Sequence, residues 1–348
     1  MGSLALLLGL LIFSFVVTSL SIVPFINLLY SLRFQRRRQV TRDVFGKLTP
    51  IFDRFHHHKV GVPVGGGLLV IVIVSVTFAL LLPLLGWLGI DVTSVYTDIR
   101  TEVNILFFTF LSFGLLGLYD DIKKFFGFEQ DGFFGLRLKH KLLLQIVLAG
   151  IVAGLMFANL GLSILHVPFL GATLELGWLF VPFAAFVIVS FANAVNITDG
   201  LDGLASGTLM ISLFGLWFLS ASILDVPLAI FIALWIGSLI SFLYFNVYPA
   251  RIFMGDVGAL AFGATLAVVG LLLGKVLGLV IIGGLFVFEI SSSLVQLLSK
   301  RFRGRRLLPA APFHLTLQKI GWEEPKIVQR LWLVQIMLTL FGVWLALL

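Results

Sequence analysis

The sequence predicts an all-α, polytopic integral membrane protein of about ten transmembrane helices, with its N- and C-termini outside. Three observations carry that prediction. Of the 348 residues, 59% are hydrophobic and only 12% charged, about half the charged share of a soluble domain, and the mean hydropathy is +1.11. A soluble globular protein is thereby excluded. The apolar residues gather into stretches near the roughly 20 residues that cross a bilayer. The basic residues, finally, collect in every second loop between those stretches.

In chain order the expected spans are 4–30, 64–88, 104–119, 142–161, 176–194, 204–224, 227–245, 258–273, 277–299 and 329–348. The first run is interrupted by Pro24 and followed by Arg33, Arg36, Arg37 and Arg38. A cleaved signal peptide has its basic residues before a shorter apolar core, so this run is expected to be the first transmembrane helix. The pairs flanking Asp225 and Lys275 are joined by very short turns. Without cysteine, the chain has no disulfide framework, thiolate metal site or cysteine nucleophile.

Loop 31–60 carries eight lysines and arginines, loop 119–141 five, loop 245–257 Arg251 alone, and loop 300–330 another eight. That is 22 of the 24 basic residues on one side, leaving Arg100 and Lys275 opposite. Lysine and arginine are retained in cytosolic loops, so these loops are expected in the cytosol. For Arg36–Arg38 and Arg301–Arg306, topology and anionic headgroups are a sufficient explanation.

The same side holds the polar constellations. Asp120 and Asp121 end the third expected span, and two adjacent carboxylates repel unless a cation or proton lies between them. The loop from Phe191 to Gly207 has no lysine or arginine but clusters Asn193, Asn196, Thr198, Asp199 and Asp202 with glycines. Hard oxygen ligands of this kind suit Mg²⁺. Asp256 stands where the eighth span begins, a position that also suits a plain helix cap. Beside it, Asn246 and Arg251 can reach phosphate or base edges, and Phe253 with Gly255 offers a stacking face. One Mg²⁺ held among Asp120, Asp121 and Asp256 is the concrete expectation, with Lys59, Lys123, Lys124, Lys139, Lys141, Arg251 and His314 as candidate phosphate partners. Glu289 lies alone inside the ninth span, where an acid calls for a partner or a wet cavity. Gly65–Gly67 reads equally as a close helix-packing point.

Assembled, these residues resemble the polyprenyl-phosphate N-acetylhexosamine-1-phosphate transferase superfamily, over nearly the whole chain. The matching motifs are Asn193-Ala-Val-Asn-Ile-Thr-Asp-Gly-Leu-Asp-Gly203, Phe245-Asn-Val-Tyr-Pro249 and Phe253-Met-Gly-Asp256, with Asp120-Asp121, Lys139, Lys141 and Gln145. Gly321-Trp322, with Lys326, Arg330 and Trp332, is similar to the phospho-N-acetylmuramoyl-pentapeptide transferase branch. The resemblance implies one transferase domain over 1–348, a homodimer, a cytosolic cleft in the inner membrane, and Mg²⁺. It implies a UDP-sugar donor and a polyprenyl phosphate acceptor; no nucleic-acid partner is expected. By position, Asp256 would ligand the metal, Asp120 would meet and deprotonate the polyprenyl phosphate, and Asp121 and Asp199 would complete the acidic cluster. Asn193, Asn196, Asp202, Asn246, Phe253 and Gly255 would form the nucleotide set, with Phe253 nearest the uracil. Lys59, Lys141 and His314 would face the phosphates.

Two departures stand out. The muramoyl members carry three consecutive histidines where this chain has only His314, in Pro312-Phe-His-Leu-Thr-Leu-Gln318. Two threonines usual at the start of the second span are replaced in Gly61-Val-Pro-Val-Gly-Gly-Gly67. His56-His57-His58 is a nearby run that reads as a solvated stretch or, alternatively, as a displaced substitute for the missing histidines. A sister enzyme transferring N-acetylglucosamine-1-phosphate, an inactive relative and, from another class, a secondary transporter are the competing readings.

Overall fold

The computed structural model describes residues 2–36, 59–126, 136, 138–168 and 171–348. His56–His58, Arg37, Arg38, Arg42, Lys47, Arg54 and Arg137 lie outside the described residues. The helices are α1 (Gly2–Ser31), α2 (Gly66–Trp87), α3 (Ile99–Phe126), α4 (Leu138–Leu160), α5 (Phe180–Thr198), α6 (Leu204–Ser222), α7 (Val226–Asn246), α8 (Gly255–Leu272), α9 (Val276–Ile282), α10 (Gly284–Arg303), α11 (Phe313–Lys319) and α12 (Glu324–Leu347). Between α4 and α5 a small antiparallel hairpin pairs β1 (Ile164–Val167) with β2 (Ala172–Glu175). The hydropathy pattern shows only a loop there, because four-residue strands leave too short an alternation to read.

Among the described residues nine helices are long and apolar enough to cross a membrane. The share of each buried in the protein places it in the bundle: 89% of the apolar window of α7 and of α8 is covered, against 28% for α1 and α4. α7 and α8 are therefore the axis, and α1 and α4 present their apolar surface to lipid. Rings interlock at the centre, where Phe110 meets Phe231, Trp235 and Phe262 at centroid distances of 5.4, 5.4 and 5.8 Å. With no hydrophobic drive between helices in lipid, close packing and hydroxyl contacts hold them together. Ser14 donates to the Leu234 carbonyl at 2.7 Å and Thr18 to Ser238 at 2.9 Å along the α1–α7 seam. α2 crosses α8 at Gly67 and Gly258, where an added Cβ on Gly67 would lie 2.2 Å from the Gly258 Cα. The packing reading of Gly65–Gly67 is thus the one the structure supports.

The ninth expected span, 277–299, departs from expectation. It is two helices, α9 and α10, bent by 79° about Gly283. The second half carries the polar residues of the segment, Glu289, Ser291–Ser293 and Gln296. A break inside a membrane frees backbone groups that must find partners. Gln335 of α12 supplies them: its Oε1 accepts from Leu285 N at 3.2 Å and its amide donates to the Ile282 carbonyl, which also accepts from Ser212 at 2.9 Å.

α3 also differs, running to Phe126 rather than stopping at Asp120-Asp121, so Lys124 lies one turn beyond Asp120 on the same face. Its other end buries Glu102 beside Asp225, itself the N-cap of α7 through Leu228 N at 3.2 Å. Ser94 donates to Glu102 at 2.7 Å. Two buried carboxyl groups in contact share a proton, and burial raises the Asp225 carboxyl above its ordinary value. The folded state therefore holds a proton that the unfolded chain releases above about pH 4. Stability is greatest below that point and falls as pH rises toward the raised folded value. Glu102→Gln keeps a donor to Asp225 without needing that proton. Its detergent melting temperature should match wild type near pH 4 and exceed it by a few degrees near pH 8, flattening the pH profile.

Candidate active site

At the opposite end of α3 the polar residues of five segments meet. Asp120 is buried and accepts from Leu136 N at 2.6 Å, from Lys141 at 3.0 Å and from Lys124 at 3.0 Å. Lys124 also reaches Asp256 at 2.8 Å, and Lys141 bonds the same carboxylate oxygen. Asn196 donates to the other oxygen of Asp256 at 3.1 Å. Charges from α3, α4 and α8 and an amide from α5 thus converge on two carboxylates.

Asp256 does not cap its helix. The residue before α8 is Met254, which makes no side-chain cap, and the cap comes from α3 instead. Asp121 accepts from Val257 N at 3.0 Å, satisfying a free donor of the first turn and complementing its dipole. Gly255 makes this possible: its φ is +78°, and a Cβ there would stand 2.7 Å from the Asp121 Oδ2. Asp121 and Gly255 therefore aim Asp256. α3 itself can approach only because Gly117 has no side chain, since a Cβ there would meet the Asp256 carbonyl at 2.1 Å.

The loop from Thr198 to Gly203 forms a second centre. Lys59 is buried with its ammonium 2.6 Å from Asp202, 2.6 Å from Glu324 and 3.3 Å from the Gly200 carbonyl. Glu324 also accepts from Asp202 N at 2.7 Å, and Asp202 accepts from Ala250 N at 2.9 Å. Lys59 and Asp202 are thus bonded to protein groups rather than aimed outward. Asn246 is buried and spent in the same way, accepting from Ser206 at 2.6 Å and donating to the Ile252 carbonyl at 2.9 Å. Asn193 donates to Gln145 at 2.6 Å and to the Val189 carbonyl at 2.8 Å. The Phe253 ring lies under Arg36 and Lys59, 5.7 and 5.9 Å from its centroid. Its backbone docks on the start of α2, where Gly65 and Gly66 N–H donate to its carbonyl at 3.1 and 2.8 Å.

Between the two centres lies a cavity of about 300 Å³ lined by Arg36, Asn196, Ile197, Asp199, Gly200, Ser293, Pro312 and His314. Burial, then the neighbouring Asp256 charge, push the Asp199 carboxyl up to about 7 against the pull of Lys59 and Arg36. Of the other lysine and arginine candidates, Lys139 is exposed, Lys123 lies over Tyr119 at 4.8 Å and Arg251 over Phe245 at 5.5 Å. Among the described residues no three histidine, aspartate or glutamate side chains are already arranged around a metal position. Glu324 was not anticipated from sequence. An acid in a first helical turn reads as complement to the dipole, and only the fold brings it to Lys59.

Residues 103–274 match the family described as glycosyl transferase family 4. The chain is 39% identical over 306 residues to the phospho-N-acetylmuramoyl-pentapeptide-transferase of Desulfotalea psychrophila, covering 83% of this chain and 80% of that protein. It is 35% identical over 346 residues to the protein of the same name from Aquifex aeolicus, covering 94% and 91%. The chain belongs to the phospho-N-acetylmuramoyl-pentapeptide transferase family. The stretch that pointed to this branch stacks in the structure, with Lys326 and Arg330 at 5.4 and 4.7 Å from the Trp322 ring. Trp332 packs where a Cβ on Gly207 would come within 2.2 Å of its ring. Of the family's three histidine positions, Leu315 and Thr316 follow His314 here, and all three are buried.

Proposed function

We propose that the protein transfers phospho-N-acetylmuramoyl-pentapeptide from its UDP-linked donor to polyprenyl (undecaprenyl) phosphate, releasing UMP, at the cytosolic face of the inner membrane. It is thereby the first membrane step of peptidoglycan synthesis, in a protein expected to work as a homodimer. The observation that carries this reading is the convergence of Asp120, Asp256, Lys124 and Lys141 at the bundle end where the basic loops lie. An acceptor oxygen of the lipid phosphate attacks the donor's β-phosphorus. A new phosphoanhydride bond forms there as the bond from β-phosphorus to the bridging oxygen breaks, and the electron pair leaves with UMP. Two anionic groups must be brought together, so fixed cations at the reacting centre are required. Lys124 and Lys141 supply them, and Asp120 and Asp256 hold both ammonium groups in place. Asp120, to which the resemblance gives deprotonation of the acceptor, is held by Leu136 N, Lys141 and Lys124. Asp199 instead lines the cavity and, raised to about 7, is the carboxyl suited to exchange the acceptor's proton near neutral pH.

The donor chemistry of the site also fits Mg²⁺. Asp120 and Asp256 stand together, each contacted by both Lys124 and Lys141, and hard oxygens backed by substrate phosphates are how this ion binds. Asp256 and Asp120 would hold it, with Asp121 behind Asp256; when bound it would offset phosphate charge. Chelation should stop UMP release and added Mg²⁺ restore it.

The sister reading, transfer of N-acetylglucosamine-1-phosphate, is favoured by one observation, the reduction of three histidines to His314. UMP release from UDP-N-acetylmuramoyl-pentapeptide and from UDP-N-acetylglucosamine, with polyprenyl phosphate in detergent, separates the two. At least a hundredfold preference for the pentapeptide donor is expected. Release from the second donor alone overturns the muramoyl assignment.

A further inference from the structure

The acid that had no partner in the sequence has one in the fold. Glu289 lies in α10 and is fully buried, a costly place for a carboxylate without compensation. Its two oxygens accept from His314 N at 3.1 and 3.4 Å, and Oε2 lies 3.1 Å from the His314 Nδ1. One turn on, Ser292 donates to the Glu289 carbonyl at 2.7 Å and accepts from Phe313 N at 3.0 Å. The start of α11 is therefore pinned to α10 at two successive N–H groups.

The ring contact does more than cap a helix. A carboxylate facing Nδ1 favours the tautomer with its proton on Nδ1, which leaves the Nε2 lone pair as the side of the ring turned away from Glu289. Nε2 points across the ring to the catalytic loop, where a Cβ on Gly200 would stand 2.5 Å from it. His314 lines the same cavity as Asp199, Asn196 and Arg36. The Glu289 carboxylate lies behind the ring, the cavity in front, and Gly200 leaves the space between.

We infer that Glu289 is a positioning residue, fixing the tautomer and direction of His314 so that Nε2 is presented to the phosphates of the donor. This rests on the reading of the cavity as part of the donor site. It also accounts for how one histidine serves where the family carries three: its ring is held from behind and has no rotamer or tautomer to choose.

The test is a double-mutant cycle on the full-length protein in detergent, read by UMP release from the pentapeptide donor. Glu289→Gln keeps the shape and an acceptor for His314 N but brings an amide donor that favours the other tautomer. It should lower kcat about 10- to 100-fold with the donor KM unchanged within about twofold and the melting temperature nearly so. In a His314→Ala background the same change should cost nothing further, because residues that act through one another are not additive. Gly200→Ala disturbs the ring from the other side without touching Glu289, and should show the same loss of kcat alone and the same dependence on His314; it serves if Glu289→Gln does not fold. Wild-type kcat in Glu289→Gln or in Gly200→Ala, or losses that multiply with His314→Ala, would overturn the inference. Wild-type release of UMP in the same assay reports separately on the donor reading.

Discussion

Asp256→Asn is expected to lower turnover by roughly 10²–10³-fold while leaving the fold intact. The expectation follows from how little of the helix depends on that carboxylate. α8 begins at Gly255, is capped from α3 by Asp121 and packs through the Asp256 carbonyl against Gly117. None of those contacts uses the Asp256 side chain. What the side chain does hold is Lys124 at 2.8 Å, Lys141 on the same oxygen and Asn196 at 3.1 Å. Asparagine retains the volume but not the charge, so both ammonium groups lose one of their anchors. The loss should fall on kcat in the UMP assay, with a melting temperature within a few degrees of wild type. Asp121→Ala, which removes the acceptor for Val257 N, should do the reverse at first, loosening the α8 start before it touches chemistry. An Asp256→Asn variant keeping more than a tenth of wild-type turnover would sink the reading of this centre.

Much of this was legible in the sequence for a physical reason. Lipid demands apolar runs of fixed length, so the spans announce themselves, and acids at the ends of such runs are costly enough to be informative. Asp120, Asp199 and Asp256 stand out on that ground alone. The sequence is less informative about direction. Asp121, Gly255 and Asn246 share motifs with the residues around the cavity, yet they hold protein groups together, and which member of a motif aims at a ligand depends on helix phase at the crossing. The bend at Gly283 was hidden because α9 and α10 are together apolar enough to pass as one span; the Gln335 and Ser212 contacts from α12 and α6 make the break tolerable. Glu289 and Glu324 illustrate the remaining gap. Glu289 is alone in its span and Glu324 follows Glu323 at a helix start, and each acquires its meaning from a residue 25 or 265 positions away.

The distance between Lys59 and Glu324 along the chain gives the second large expectation. The resemblance assigns Lys59 to the phosphates, whereas its ammonium is enclosed by Asp202, Glu324 and the Gly200 carbonyl. Removing it with Lys59→Met leaves two carboxylates buried without a counter-charge, and breaking a buried pair from one side costs about 3–5 kcal/mol. The melting temperature in detergent should drop accordingly, and activity should fall with it because the loop carrying Asp199 and Gly200 loses its tie to α12. Glu324→Gln should be far milder, since the amide oxygen can still accept from Asp202 N and Lys59. In combination with Lys59→Met it should recover part of the lost stability, because only Asp202 then remains charged, and Ala250 N still serves it. If Lys59→Met melts with wild type yet loses turnover, the ammonium leaves this cluster when donor binds, and its part in holding phosphate outweighs its part in holding the loop.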